Sequence, residues 1–207
     1  MRTSREVTVK VWGDLACFTR PEFAAERVSY PVITPSAAQG LLSSIFWKPE
    51  ISWRITQIDL LKPPAWASMT RNEVSVRASS RRAFIDVTEN RVQRHSLVLR
   101  DVAYVIKAVA DLKPHATEGP AKYTDQFERR VRRGSFFSPP YLGLREYAAW
   151  FGPVEDSDRA LAIDIDVGPM VLDLGYSPDG KVISPSFFDA KVVNGTMTIP
   201  VSVAAGS

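Results

Sequence analysis

Lys122 and Tyr123 open the basic segment AKYTDQFERRVRR, and His115 lies just upstream in the same region. These residue types move protons and hold negative charge. An imidazole, with a reference pKa near ~6.5, serves as acid or base close to neutrality. An ammonium group steadies charge on a phosphate. A phenol, with a reference pKa near ~10, gives up its proton less readily. Together they suit cleavage of RNA, which carries its own nucleophile in the 2′-hydroxyl beside each phosphate. A protein has only to take that proton, stabilise the phosphate and protonate the leaving oxygen. Lys122, Tyr123 and His115 are therefore the catalytic candidates, with no metal and no cofactor called for. Each also has a plain alternative. Tyr123 falls on an apolar stripe with Phe127, Lys122 can be a solvated first-turn residue, and His115 can be a surface loop residue.

Candidates for binding the polymer flank them. Phe46 and Trp47 could stack on bases while Lys48 holds a phosphate, although one of the two rings is expected to pack its helix on a sheet. Arg129, Arg130 and Arg133 lie on the basic segment. Arg129 and Arg133, four residues apart, share a helical face. Phe136, Phe137 and Tyr141 follow at once. A second arginine-rich block contributes Arg77, Arg81 and Arg82.

The elements that must position these residues are legible from periodicity. Val7, Val9 and Val11 alternate as a half-buried strand. Thr34-Pro35 supplies a helix N-cap and a proline at the first helical position, and the helix should run to about Trp47. Gly40 inside it suggests a close backbone contact. Residues 51–61 read as a strand with a bulge near Gln57, residues 70–95 as a basic hairpin inserted in the sheet, and Leu97–Leu112 as a long strand rich in β-branched residues. Tyr123, Phe127 and Val131 recur at four-residue steps along a helix over 121–133, with Gly134 just past its end. Short strands separated by turns follow, LAIDIDV and MVLDLGY among them. The order strand–helix–strand–strand–helix–strand predicts an α+β protein. Its first part, residues 1–150, would be a ferredoxin-like (RRM-like) domain. Residues 151–207 would be a C-terminal antiparallel β-sheet extension.

Composition sets the outer bounds. The 207 residues include one cysteine, Cys17, and two histidines, His95 and His115. That excludes an intrachain disulfide and a cysteine-rich metal site. GxxxxGK, GxSxG and HExxH patterns are absent. With neither a signal-peptide pattern nor a membrane-length apolar run, a cytoplasmic protein without membrane contact is expected. The formal net charge is +3, unevenly spread. Residues 71–100 carry +4, residues 122–133 carry +3, and the rest carries −4. Two basic blocks on a nearly neutral chain point to one polyanion-binding face. The alternative is arginines that merely solvate a helix and a loop.

Several ordered motifs resemble a known family. They are residues 9–49 (VKVWGDLACFTRPEF to SSIFWKP), RNEVS (71–75), LVLRDVAYVIKA (97–108), FERRVRRG (127–134) and PPYLGLREY (139–147). These are similar to the Cas five family, subtype d, of type I-C CRISPR systems, within the RAMP superfamily. The resemblance implies a ferredoxin-like RAMP fold and metal-independent cleavage of the CRISPR repeat transcript. It further implies retention of the 5′ handle in the Cascade complex, with CRISPR repeat RNA, precursor and mature, and the backbone and large subunits as partners. Double-stranded DNA stays open as a second polymer, and a handle-binding subunit with little or no cleavage stays open as an alternative activity. The family expects a tyrosine near the end of the first helix and a Lys-His pair opening the second. Here those positions correspond to Phe46 and to Lys122-Tyr123, so only the lysine is unchanged.

Overall fold

Alternating valines and a proline-opened helix need a sheet to lie on, and the computed structural model supplies it. It describes residues 2–23, 26–76, 84, 86–176 and 182–201. The elements in chain order are β1 (Arg2–Thr3), β2 (Val7–Ala16), α1 (Pro35–Ile45), β3 (Ile51–Leu60), β4 (Ala65–Val74), β5 (Arg91–Leu112), α2 (Pro120–Arg133), β6 (Trp150–Gly152), β7 (Ile165–Tyr176), β8 (Val182–Val192) and β9 (Thr196–Thr198). Among the described residues, seven strands form one sheet in the order β6-β2-β5-β3-β9, with β1 and β4 also paired to β5. Every one of these pairings is antiparallel. β7 and β8 form a separate two-stranded ribbon.

Register explains which face is the core. Val7, Val9 and Val11 lie opposite Ala108, Ile106 and Tyr104. On the other side of β5, Ile55 pairs with Ala108 and Ile58 with Ile106, because the register shifts between Ile55 and Gln57. Without that bulge, three residues of separation would put Ile55 and Ile58 on opposite faces. All of these side chains are buried, together with Leu41, Leu42 and Ile45 of α1 and Tyr123, Phe127 and Val131 of α2. Trp53 ties both helices to the sheet. Its Nε1–H donates to the Phe46 carbonyl at 3.0 Å, and its ring meets Phe127 at a centroid distance of 4.7 Å.

The helix ends follow their sequence signals. Thr34 accepts from the Ala37 N–H and Pro35 opens α1, which stops at Ile45 rather than Trp47 because Phe46 turns extended at φ −144°. Gly134 closes α2 in the left-handed conformation at φ 62°. The proposed hairpin is real but longer than expected. β4 and the first part of β5 pair from Ala65–Arg100 out to Val74–Arg91. Arg77, Arg81 and Arg82 lie outside the described residues.

One expectation about the second half needs correction. LAIDIDV and MVLDLGY are not separate strands. Gly168, at φ 73°, lets β7 bulge and continue. Elsewhere in the second half, β6 pairs with β2 and β9 returns to pair with β3.

On the face away from the helices, Arg54 of β3 grips Asp111 of β5. Nε reaches Oδ2 at 2.6 Å and Nη2 reaches Oδ1 at 3.1 Å, while Thr3 donates to Oδ1 at 2.8 Å. Burial pushes the Asp111 carboxyl up, but the Arg54 and Thr3 hydrogen bonds outweigh it and hold the group below the ordinary carboxylate range. A depressed carboxyl stabilises the fold above its unfolded pKa of about 3.9, and that contribution disappears as pH falls through the folded value. We expect Asp111→Asn to cost about 1–3 kcal/mol at neutral pH. Thermal melts between pH 7 and pH 3 should show the gap to wild type closing with acid. A gap that stays constant would remove Asp111 from the acid response.

Candidate nucleic-acid interface

The end of α1 and the segment leaving α2 build one surface. Gly134 turns the chain off α2, and the Phe137 and Ser138 N–H groups then donate to the Ser44 carbonyl at 2.8 and 3.0 Å. This lays Phe137 on Trp47, with ring centroids 5.7 Å apart and planes at 28°. Both rings are about half exposed, so the stack keeps a face for a third ring. An open cavity of about 680 Å³ adjoins it, lined by Gly40, Ser43, Tyr141 and Arg145 as well as the two stacked rings.

Two of the expected contacts are spent inside the protein. Phe46 is 1% exposed, with the Arg130 guanidinium 5.4 Å over its ring, so it packs α1 rather than meeting a base. Arg130 itself donates to the Ile45 carbonyl at 2.9 Å, satisfying an orphan acceptor in the last turn of α1. It serves the helix end. Arg129 and Arg133 are exposed, as is Arg132.

The catalytic candidates separate as well. Lys122 is exposed in the first turn of α2, and its Nζ lies 2.5 Å from Glu118 Oε1. The N-cap position is Gly119, which makes no side-chain cap bond, Pro120 has no N–H, and the Lys122 N–H donates to the Gly119 carbonyl at 3.2 Å, which leaves the Ala121 N–H as the first-turn donor for an anion. His115 is exposed in the loop before it. That loop touches the α1–β3 turn through the Lys113 N–H and the Glu50 carbonyl at 2.9 Å. Exposed Lys48 is in the same turn and follows Trp47 of the aromatic stack directly in sequence. Lys122 and Arg130 are eight positions apart on α2, about 12 Å along its axis, so the two groups of candidates form a strip rather than a single cluster. Among the described residues no group of three or more His, Cys, Asp or Glu could hold a metal ion.

Tyr123 does not join the strip as an accessible group. It is 3% exposed, and its hydroxyl, like Glu50 Oε2, is buried with no hydrogen-bond partner among the described residues. Removing an unsatisfied buried hydroxyl relieves a desolvation cost. We expect Tyr123→Phe to melt at or above the wild-type temperature. A loss exceeding about 1 kcal/mol in denaturant unfolding would mean that the hydroxyl has a partner in solution.

Some contributors escaped the sequence. Arg71, on the hairpin, pairs with Glu146 and with the Tyr147 hydroxyl, its guanidinium 5.2 Å over the Tyr147 ring. Burial pushes the Tyr147 phenol up, partly offset by the Arg71 charge. This joins RNEVS to PPYLGLREY and fixes the loop that carries Tyr141 and Arg145. The signal was present as two separate motifs, but nothing in one chain's spacing reveals that they touch.

The chain is similar to known proteins. The model of the CRISPR-associated protein (Cas_Cas5) family, subtype Cas5d, matches residues 6–197. A Thermus thermophilus protein named CRISPR pre-crRNA endoribonuclease Cas5d is 43% identical over 208 residues, covering 93% of this chain and 90% of its own. A Mannheimia succiniciproducens protein of the same name is 38% identical over 218 residues, covering 95% and 96%. A solved structure of a CRISPR-associated protein superposes with a TM-score of 0.73 at 23% identity over 99% of this chain and 96% of that one, a likeness of fold. With the family model spanning nearly the whole chain and two relatives above a third identical, the chain belongs to the Cas5d family of CRISPR-associated proteins.

Proposed function

We propose that this chain binds the repeat of precursor CRISPR RNA and cuts it without a metal ion, through attack of the RNA 2′-hydroxyl on the adjacent phosphate. The architecture behind it is a ferredoxin-like, RRM-like RAMP plan. α1 follows β2, α2 follows β5, and the four strands β6-β2-β5-β3 run antiparallel beneath both helices. The observation that carries the proposal is the strip from the Trp47–Phe137 stack through Lys48 to His115 and Lys122. It would offer aromatic faces for bases and cations for phosphates.

In the reaction the 2′-oxygen forms a bond to phosphorus while the bond from phosphorus to the 5′-oxygen breaks. The 2′-proton leaves to a base and the 5′-oxygen gains one. His115, exposed on the loop leading into α2, is the group suited to proton transfer. Lys122 and the Ala121 N–H at the start of α2 stabilise charge on the phosphate. The product keeps the 5′ handle, and backbone and large subunits of a surveillance complex are the protein partners. A superposition at TM-score 0.53 and 12% identity on a chain of a CRISPR RNA-guided surveillance complex is a likeness of fold that accords with this.

A second role, binding the handle without cutting, is favoured by two observations: Phe46 has no hydroxyl, and the Tyr123 hydroxyl is buried. Incubation of the purified protein with labelled repeat RNA in a chelator separates the two. A single cut ending in a cyclic phosphate is expected. Tight binding with intact RNA would establish the handle-binding role, and cleavage only after divalent ions are restored would end the metal-free proposal. Duplex DNA in the same titration asks whether a second polymer binds.

A further inference from the structure

β9 covers only part of the outer edge of β3. It pairs with residues 57–59, and the Ile199 N–H adds a bond to the Thr56 carbonyl at 3.0 Å. Residues 51–55 pair with β5 on one side. Among the described residues no strand pairs with them on the other. In an antiparallel strand each residue turns its N–H and C=O to the same neighbour, and successive residues alternate. The Glu50 carbonyl accepts from the Lys113 N–H, just past the end of β5, so Ser52 and Arg54 also turn to β5. Trp53 and Ile55 turn the other way. Ala110, opposite Trp53, agrees with this, since its own N–H and C=O go to Ser4 on the far side of β5. The backbone groups of Trp53 and the Ile55 N–H therefore face an open edge, although the two residues are only 3% and 5% exposed. Beside that edge is a groove of about 180 Å³, lined by all of residues 52–55 together with Gln39 of α1, Asp173 of β7 and Pro200. Two carboxylates, Asp111 and Asp173, line it against one guanidinium, Arg54, and Arg54 is already bonded to Asp111.

Backbone donors and acceptors left open at strand spacing are matched by the backbone of another strand. β9 already meets the same edge in this way a few residues further along. The excess of carboxylates opposes phosphates and suits a basic side chain. We propose that an extended segment of a protein partner, carrying a basic side chain, adds to β3 at Trp53 and Ile55 as a strand in line with β9. The inference rests on the partner subunits named in the function proposed above. It gives one of them a docking edge that shares no lining residue with the RNA strip.

Amide hydrogen exchange, read residue by residue on the full chain, tests this in three states: alone, with repeat RNA, and with the purified backbone and large subunits. Alone, the Trp53 and Ile55 amides should exchange about tenfold or more faster than those of Ser52 and Arg54, which β5 holds. One of the subunits should slow Trp53 and Ile55 by about tenfold or more and leave Ser52 and Arg54 unchanged. Repeat RNA alone should alter none of the four. Gln39→Trp, which puts an indole into the groove from α1, should abolish that protection and weaken the subunit by about tenfold or more, with RNA affinity and melting temperature as in wild type. If Gln39→Trp fails to fold, the alternating pattern in wild type decides alone. Trp53 and Ile55 amides already protected in the isolated chain overturn the proposal and assign the edge to this chain itself. Protection brought by RNA alone overturns it too, as does an assembled complex in which both amides still exchange freely. A wild-type chain that binds repeat RNA but joins neither subunit removes the partners and the added strand together and leaves the RNA-binding function standing.

Discussion

Lys122→Ala should lower cleavage of the repeat RNA by about 10²–10³-fold, the range for removing one donor to a developing charge. Affinity should fall by less than about tenfold, because one exposed phosphate contact among several is lost. In the unbound protein the Lys122 ammonium is held by Glu118 at 2.5 Å, with both side chains about half exposed. A pair so open to water is worth little, and a phosphate can displace the carboxylate at small cost. The contribution of Lys122 should therefore be read as a change in the rate of a single turnover at saturating RNA, when charge builds on the phosphate. Equal losses in rate and affinity would make Lys122 a binding residue only. Tyr123→Phe is the companion measurement: with its hydroxyl buried, cleavage should persist at the wild-type rate. A rate lost together with that hydroxyl would mean that α2 rearranges to expose it when RNA binds.

Local chemistry in the sequence located the elements better than it assigned the site. Thr34-Pro35, the β3 bulge at Gln57 and Gly134 are each fixed by neighbours within a few residues, and all three occupy the places their signals indicate. The continuation of β7 through Gly168 and the return of β9 to β3 depend on pairings from distant parts of the chain, which no short pattern encodes. Site residues divide the same way. Periodicity placed Tyr123 on the buried stripe of α2 while its chemistry suggested a proton donor. Position on the stripe prevailed, because burying an aromatic ring outweighs leaving one phenol unsatisfied. Arg130 belongs to the same run of arginines as Arg129 and Arg133. Only the proximity of the end of α1 turns it inward onto the Ile45 carbonyl.

Trp53 underlies both helices that carry the strip, and Trp53→Ala should be strongly destabilising. Its ring is 3% exposed. It packs on Phe127 of α2 and donates to Phe46 at the end of α1, so one side chain sets both helices on β3. Truncation to alanine opens a cavity at their junction, with an expected loss of about 3–5 kcal/mol. For a chain of this size that corresponds to a fall in melting temperature of about 6–20 °C. Trp53→Phe separates the two roles. It retains most of the ring but leaves the Phe46 carbonyl without its donor, at about 1–3 kcal/mol. Trp47 follows Phe46 directly, so a loosened Phe46 carbonyl lets the Trp47–Phe137 stack drift. Trp53→Phe should consequently remain folded at 25 °C yet bind repeat RNA more weakly than wild type. Wild-type affinity in a measurably less stable Trp53→Phe protein would show that the stack is held from the Ser44 side alone, through the Phe137 and Ser138 amides, and that the core beneath it has no part in recognition.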